Sequence, residues 1–260
     1  MGQSLFNGSR EQFLNTFTQN KARGERQQVF FMNADCFNLN TQNREYARTL
    51  KQARWLLPDG SGVALAARLS GHQLKENLNG TDLFPELCAL SVQKQWRVFF
   101  LGARPEVVEK LCENLQQRYP QLQIHGHHSG FFTEAETPAI LSQIAGADLL
   151  FVAMGAPRQE QWIHEHWHRL EVSAAFAVGG LFDFYSGRIA RAPMLWRKLG
   201  VEWIWRMLQE PGRLWKRYLL GNPLFLWRVL RWQAAGDHCV VEETLGVKQR
   251  ENVSALDAVS

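Results

Sequence analysis

A carboxylate occupies the middle of the segment Pro58-Asp59-Gly60, and this pattern supports two interpretations. Asp is common in such turns for local reasons, because its side chain hydrogen-bonds to nearby backbone groups. A carboxylate at the mouth of a crevice could instead act as a general base and remove the proton of an acceptor hydroxyl. Its ordinary pKa of about 4 leaves it ionised at neutral pH. Asp35 and Asp183 compete with Asp59 for this role.

A second candidate site is the segment Gly155-Ala156-Pro157-Arg158-Gln159-Glu160, which lies between an apolar run and an amphipathic run. If a helix begins here, its free backbone N–H groups and its dipole favour a phosphate group. Gly155 would let the backbone approach that group closely, and Gln159 could hydrogen-bond a base or a sugar. The alternative is an ordinary turn from a strand into a helix.

The segment His164-Glu165-His166-Trp167-His168 matches the HExxH pattern on a predicted helix. In zinc proteases this spacing places two His on one helical face, with the Glu as general base. Such a site needs a third ligand, and no extension of the metzincin type follows His168. A zinc hydrolase using His164, Glu165 and His168 is therefore an alternative, while the preferred interpretation involves no metal.

These candidate residues are positioned by alternating strands and helices. Short apolar runs predict buried strands at Val29–Met32, Trp55–Leu57, Arg97–Leu101, Leu149–Ala153 and Ala174–Val178. Amphipathic segments between them predict helices at Asn43–Arg54, Ser61–Leu69, Pro105–Arg118, Ala135–Ile144 and Arg158–Leu170. Continuous apolar strands that alternate with helices predict an α/β fold, with a mainly parallel sheet covered on both faces.

Polar or small residues follow every one of these predicted strands. In a parallel sheet the ligand crevice lies beyond the carboxyl ends of the strands, so these residues should meet there. We therefore expect one site built from five loops. The loops contain Asn33-Ala34-Asp35, Pro58-Asp59-Gly60-Ser61-Gly62, Gly102-Ala103, Gly155 to Glu160, and Gly179-Gly180-Leu181-Phe182-Asp183.

The C-terminal part of the chain has a different character. Residues 188–232 hold ten Arg or Lys against two Glu, together with six of the ten Trp. From Pro193 onward the pattern predicts three helices, separated by the helix breakers Glu210-Pro211-Gly212 and Gly221-Asn222-Pro223. The predicted helices are Pro193–Gln209, Gly212–Leu220 and Pro223–Gln233.

Basic helices rich in Trp and Leu are suited to a lipid interface, where aromatic rings and long cationic side chains meet the headgroups. A buried homo-oligomer interface and a nucleic-acid patch are the alternatives, and the high Leu and Trp content disfavours nucleic acid. The sequence thus predicts a core of residues 1–192, a membrane-binding appendage of residues 193–235 and a disordered tail of residues 236–260, which has no aromatic residue.

Compartment and membrane topology follow from simple counts. The four Cys residues are widely scattered and form no CxxC pair, which is typical of a reduced intracellular protein. No run of 18 apolar residues occurs, and the N-terminal segment MGQSLFNGSR lacks the apolar stretch of a signal peptide. We expect a cytoplasmic protein that binds the inner face of the cell membrane peripherally.

Seven segments, taken together, resemble the WecG/TagA/CpsF family of bacterial glycosyltransferases in their order and spacing, over about residues 29–217. They are LPDGSGV, LNGTDLF, VFFLGARPEVVEKL, HSGFF, VAMGAPRQEQWI, VGGLFDFYSGRIARAP and LGVEWIWRMLQEPGR. The resemblance implies a Rossmann-like core without a cofactor. It also implies inverting, metal-independent transfer of N-acetylmannosamine, glucose or a related hexose from a UDP-sugar to a polyprenyl-diphosphate-linked saccharide, during assembly of exopolysaccharide, surface antigen or teichoic acid.

The resemblance also implies roles for individual residues. Asp59 would be the catalytic base, and Asn33 would help to bind substrate beside it. The nucleotide-sugar pocket would be lined by Gly102, Gly155, Gln159, Gly180 and Asp183. The acceptor and the diphosphate would meet basic residues at or near the appendage, namely Arg191, Arg206, Arg213, Lys216 and Arg217. A non-catalytic membrane adaptor that keeps the fold for binding is a further alternative.

Two positions depart from the family pattern. Some members have Thr two residues before the Asn, where this chain has Phe31. Many have Arg three residues before the Gly-x-Asp of LNGTDLF, where this chain has Asn77. A phosphate contact expected from that Arg would have to come from elsewhere, for instance from an Arg of the appendage.

Overall fold

The apolar runs form the strands of one parallel sheet. The computed structural model describes residues 3–234 and 240–242, and in these residues the main sheet has six parallel strands in the order β3-β2-β7-β6-β4-β5. A second, two-stranded parallel sheet pairs β1 with β8. The strands are β1 (Ser4–Phe6), β2 (Gln27–Met32), β3 (Trp55–Pro58), β4 (Arg97–Gly102), β5 (Gln123–His128), β6 (Leu149–Ala153), β7 (Ala174–Ala177) and β8 (Val240–Glu242).

Helices cover both faces of the main sheet. Those of the core are α1 (Arg10–Ala22), α2 (Ala34–Gln42), α3 (Arg44–Gln52), α4 (Ser61–Leu69), α5 (Gly80–Lys94), α6 (Pro105–Arg118), α7 (Thr137–Ile144), α8 (Arg158–His166) and α9 (Leu181–Tyr185). The predicted bounds of α4 and α6 are confirmed, and α3, α7 and α8 are shorter than predicted. The sequence pattern did not predict the core helices α1, α2, α5 and α9 or the edge strand β5, whose alternate residues are exposed.

Burial on both faces explains why the strands are continuously apolar. Successive side chains of a strand point to opposite faces, and here each face packs against helices. Phe100 and Phe151 belong to the cluster on one side of the sheet, while Phe99 and Leu150 belong to the cluster on the other. The structure thus confirms the predicted Rossmann-like α/β fold.

The appendage follows the core as a chain of short helices. They are α10 (Met194–Lys198), α11 (Glu202–Gln209), α12 (Pro211–Trp215) and α13 (Gly221–Ala234), with a π-helical turn at Lys216–Leu220. The single helix predicted for Pro193–Gln209 is interrupted between Lys198 and Glu202, where Gly200 has a φ of +70°.

The prediction that Gly221-Asn222-Pro223 breaks the helical path is wrong. The π-helical turn leads directly into α13, because a wide turn shifts the backbone hydrogen-bond pattern and Pro223 lies in the first turn of α13. Phe225 of α13 is buried, with its ring 4.8 Å from that of Phe37 in α2. The last helix therefore packs on the core beside the loop that follows β2.

The C-terminal tail and membrane topology add two observations. The tail predicted as disordered, residues 236–260, lies outside the described residues except for 240–242, which form β8 instead. Across the described ranges, every helix is too short or too polar to span a bilayer.

Candidate active site

Asp59 lies at the carboxyl edge of the sheet, immediately after β3. Its backbone N–H donates to the carbonyl of Met32 at 2.8 Å, which joins this loop to the one that follows β2. The next N–H, of Gly60, donates to the side-chain oxygen of Asn77 at 2.7 Å. Asp59 is half-buried, and hydrogen bonds donated by its own backbone N–H and by that of Gly60 hold its loop in place.

Asn33 connects this carboxylate to the start of α2. Its side-chain oxygen accepts hydrogen bonds from the N–H groups of Asp35 and Cys36, at 3.1 and 3.0 Å, and so caps the helix. With the oxygen occupied, the amide NH₂ group is the part left to hydrogen-bond to Asp59. Capping geometry therefore determines which end of Asn33 faces the carboxylate.

The electrostatic environment shifts the pKa of the Asp59 carboxyl group. Burial raises the pKa of Asp59, while the hydrogen bond from Asn33 and the positive charges of Arg217 and Arg206 lower it. The net direction is upward. A general base works best when its pKa lies nearer to the working pH, so this shift makes the carboxylate a stronger base.

Gln159 joins the loops after β6 and β7. It is buried, and its side-chain oxygen accepts hydrogen bonds from the N–H groups of Gly155 at 3.1 Å and of Gly179 at 3.0 Å. Its NH₂ group donates to Glu160 at 2.8 Å. The structure thus places Gln159 as a brace beneath two loops of the predicted nucleotide-sugar pocket.

Two glycines of that predicted pocket lie where a side chain would collide with a neighbour. A Cβ atom on Gly102, whose φ is +144°, would lie 2.4 Å from the carbonyl oxygen of Ala153. A Cβ atom on Gly180 would lie 2.0 Å from a terminal nitrogen of Arg206. The absence of a side chain at position 180 therefore lets a guanidinium from the appendage lie directly on the loop after β7.

Arg206, in α11, lies against the loop after β7 and close enough to Asp59 to influence its pKa. Its guanidinium carbon lies 5.0 Å from the ring centre of Phe184, and its positive charge lowers the pKa of Asp59. Within residues 3–234 and 240–242 it forms no ion pair, and its Nε has no hydrogen-bond partner. Burial, with the neighbouring charges of Arg217 and Arg213, lowers the pKa of Arg206. An anion bound here would offset the free-energy cost of burying the positive charge of Arg206.

Lys216 and Arg217 are neighbours in the chain, and the structure separates them. The Nε of Arg217 lies 3.3 Å from the carboxylate of Asp35, and its charge acts on Asp59. Lys216 is exposed, with its ammonium group 5.6 Å from the ring centre of Trp215. Of the two, only Arg217 is placed beside the carboxylates of the site.

Asp183 and two other predicted site residues take part in ion pairs that hold the appendage to the core. Asp183 is buried and pairs with Arg188 at 2.7 Å and with Arg213 at 3.6 Å, while Glu210 binds the same two arginines. We call these four residues, Asp183, Arg188, Glu210 and Arg213, the latch. Arg191 pairs with Asp82 of α5 and, at 3.6 Å, with Glu202 of α11.

The HExxH segment lacks the helical geometry that a zinc site of this type needs. Helix α8 ends at His166, so His168 lies in the following turn and is exposed. The prediction of a helix reaching Leu170 is wrong here. In the described part of the chain, no three His, Cys, Asp or Glu side chains converge on a point where they could hold a metal ion.

Sequence reasoning missed two residues of the site. Asn77 departs from the family pattern, and the structure shows that it binds the loop of Asp59. Glu160 is buried next to Gln159, and its position one helical turn before the apolar Ile163 was the available signal. Phe31, the other departure, is buried and packs beneath Gly80 at the start of α5.

Comparison with known proteins identifies the family of this chain. A family model described as glycosyl transferase WecG/TagA/CpsF family matches residues 1–238. Three relatives are named N-acetylglucosaminyldiphosphoundecaprenol N-acetyl-beta-D-mannosaminyltransferase. The one from Bacillus subtilis strain 168 is 33% identical over 190 residues, 73% of each chain. The one from Bacillus spizizenii W23 is 35% identical over 194 residues, 75% of each chain.

The third relative, from Staphylococcus aureus MW2, is 34% identical over 201 residues, which cover 76% of this chain and 78% of the relative. A match along nearly the whole chain and three relatives at this identity agree with one another. This chain therefore belongs to the WecG/TagA/CpsF family of glycosyltransferases.

Proposed function

We propose that this glycosyltransferase moves N-acetylmannosamine from UDP-N-acetylmannosamine to a saccharide carried on a polyprenyl diphosphate, with inversion at the anomeric carbon. The names of the relatives support the sugar and the type of acceptor. The observation that carries the mechanism is the Asp59 carboxylate, which is hydrogen-bonded by Asn33 and lies between the loops of the core and two arginines of the appendage.

Asp59 acts as the general base in a single displacement. The acceptor hydroxyl oxygen attacks the anomeric carbon of the donor while its proton passes to the carboxylate of Asp59. The bond from the anomeric carbon to the diphosphate oxygen breaks, and UDP leaves with the electron pair. Asn33 keeps the carboxylate oriented toward the hydroxyl, and removal of the proton contributes about 10²- to 10⁴-fold to the rate.

The departing diphosphate needs positive charge, and the appendage can supply it. Arg206 is already held against Gly180 without an anionic partner in the described residues, and Arg217 lies near Asp59. Preorganised charges of this kind stabilise a leaving group without further reorganisation. This arrangement supports a metal-independent reaction, in which Arg206 also replaces the phosphate contact that Asn77 does not make.

The acceptor lipid requires that the enzyme work at a membrane surface. The appendage exposes large apolar side chains that include Leu195, Leu199, Leu219 and Leu220. Together with its basic residues, this surface is suited to the headgroup region of an anionic bilayer. We place the enzyme at the inner face of the cell membrane, where the appendage meets the lipid diphosphate as it completes the site.

The test measures UDP release with a panel of UDP-sugars and a short-chain polyprenyl-diphosphate acceptor carrying N-acetylglucosamine. UDP-N-acetylmannosamine should be the preferred donor, and Asp59→Asn should lower kcat by about 10²- to 10⁴-fold. Glu109→Gln, which changes an exposed carboxylate on α6, is the control and should be unaffected.

Each part of the proposal can fail separately in that assay. Normal turnover by Asp59→Asn would refute the role of the carboxylate and favour another base. A requirement for divalent cations, seen as loss with a chelator and recovery with Mg²⁺ or Mn²⁺, would refute metal independence. Preference for UDP-glucose would leave the mechanism standing and change the sugar.

A further inference from the structure

A buried carboxyl group lies directly beneath the loops of the predicted nucleotide-sugar pocket. Glu160 is 1% exposed, and one of its oxygens accepts the hydrogen bond from the Gln159 NH₂ group. Its other oxygen has no hydrogen-bond partner in the described residues. Burial of an acidic side chain costs desolvation free energy, so we expect its contact with Gln159 to have a function.

We propose that Glu160 is a positioning residue, which fixes the orientation of the Gln159 amide and thereby the loops that receive the nucleotide diphosphate. This inference rests on the proposed function, because that function places the donor at the loops after β6 and β7. It adds a role for a residue that does not touch the substrate.

The two ends of the Gln159 amide bind different partners. The Gln159 oxygen accepts from both Gly155 and Gly179, one on each loop. A flipped amide would direct its NH₂ group at two N–H donors, and both loops would lose their common acceptor. Because Gln159 is buried, solvent cannot compensate for that loss. An acceptor at the other end of the amide strengthens this orientation, because the buried NH₂ group would otherwise have no partner.

Glu160 is that acceptor. The contact joins adjacent residues in the first turn of α8, with the Gln159 nitrogen 2.8 Å from the Glu160 oxygen. Burial raises the pKa of Glu160 to about 7, and the hydrogen bond from Gln159 opposes the shift. The carboxyl group keeps a lone pair toward Gln159 in both protonation states, so the brace does not require the charge.

The surroundings of Glu160 supply a control for simple packing. Cys36 of α2 and Tyr46 of α3 are buried near enough for Glu160 to influence both of them. The Tyr46 hydroxyl interacts with the Cys36 thiol and forms no hydrogen bond with Gln159 in the described residues. Tyr46→Phe therefore removes a polar atom from the same pocket without touching the Gln159 brace.

The experiment compares Glu160→Met, Glu160→Gln and Tyr46→Phe by calorimetric titration with UDP alone and by steady-state kinetics. Glu160→Met removes the acceptor and should weaken UDP binding about 10-fold or more, the scale of a lost buried hydrogen-bond partner. The donor KM should rise more than the acceptor KM. Glu160→Gln keeps an acceptor oxygen and should restore near-normal binding, and Tyr46→Phe should bind UDP normally.

Other outcomes would overturn the inference. Glu160 is not the acceptor that orients Gln159 if Glu160→Met binds UDP as tightly as the wild type. The same conclusion follows if Glu160→Gln loses UDP binding, or if Tyr46→Phe weakens it as much as Glu160→Met does. If Glu160→Met does not fold, amide exchange decides instead. The N–H groups of Gly155 and Gly179 must then be protected in the wild type and in Glu160→Gln, and rapid exchange of both in the wild type contradicts the brace.

These readouts separate this inference from the proposed mechanism. Loss of turnover without loss of UDP binding in Asp59→Asn leaves the test of Glu160 intact. If UDP does not bind the wild type at all, the proposed donor and the inference fail together. If UDP binds both the wild type and Glu160→Met equally well, only the inference fails.

Discussion

The core and the appendage bury their apolar side chains to very different extents. In the core, strands β2, β3, β6 and β7 have no exposed residue. In the appendage, α11 has no buried residue. Most of the large apolar side chains exposed in the described ranges also lie there, namely Met194, Leu195, Leu199, Leu208, Trp215, Leu219, Leu220, Leu226, Trp227 and Leu230.

In the proposed mechanism, the site is divided between these two regions. The core supplies Asp59 and Asn33 from loops that hydrogen bonds hold in place. The appendage supplies Arg206 and Arg217 from helices attached by the latch and by polar contacts, such as Ser61 to the carbonyl of Gly200 at 2.8 Å. Because the large apolar side chains of the appendage stay exposed in the described residues, we expect this apolar face to find further cover at the membrane.

The strongest test of this division is removal of the appendage. A chain that ends at Pro193 keeps every strand of the six-stranded sheet, so the core should still fold, and thermal unfolding with circular dichroism would check this. Turnover should fall by at least about 10³-fold, because both arginines near the diphosphate are lost together. A truncated protein with normal UDP release would contradict the proposed division of labour.

A single arginine should account for a large part of that loss. Arg206→Ala removes the guanidinium that lies on Gly180, and we expect kcat to fall by about 10²- to 10³-fold, as for the loss of one preorganised donor. Lys216→Ala, in the same appendage but exposed, is the matched control and should change kcat less than about 2-fold. Equal losses in the two variants would show that net charge matters rather than position.

The core was the easier region to predict from sequence. A strand buried on both faces must be apolar throughout, so Leu149–Ala153 was located to the residue. Parallel pairing then places every loop that follows a strand at one edge, which brings Asn33 and Asp59 together. The edge strand β5 was not predicted because its residues, QIHGHH, are not buried on both faces and so do not form an apolar run.

The appendage was harder because its chemistry depends on contacts between distant residues. Composition predicted a cluster of cations but not which of them would be neutralised. Arg191 and Arg213 proved to be paired with Asp82 and Asp183, whereas Arg206 has no such partner in the described residues. The role of Asn77 was equally hidden, since a side chain that accepts from a backbone N–H 17 positions away leaves no local pattern.

The pH dependence of kcat/KM tests whether the appendage acts on the base of the core. Asp59 must be ionised to accept a proton, so activity should be constant above its pKa and fall tenfold per pH unit below it. Burial raises this pKa and Arg217 lowers it. Arg217→Gln should therefore raise the pKa of Asp59 and move the acid limb to higher pH. Arg231→Gln, which changes an exposed arginine of α13, should leave the limb in place.

The apolar face of the appendage should matter for membrane binding far more than for chemistry. Leu219 and Leu220 are 53% and 60% exposed, and changing both to Ser removes apolar surface that would enter the bilayer. Burial of one Leu side chain contributes about 2 kcal/mol, so affinity for anionic vesicles in a flotation assay should fall at least about 10-fold. UDP release with a water-soluble short-chain acceptor should change less than about 2-fold, the smallest effect expected here.

Leu69→Ser, at the end of α4 in the core, is the control for that experiment, since Leu69 is also exposed but lies outside the appendage. An equal loss of vesicle binding in this control would show that any exposed leucine suffices, and the membrane would not select the appendage.

Sedimentation of the wild type and of the double Ser variant tests the alternative that a second copy of the chain, rather than the membrane, covers this face. A wild-type oligomer that becomes monomeric in the variant would assign this face to a second copy of the chain, because the same leucines would then be buried between subunits.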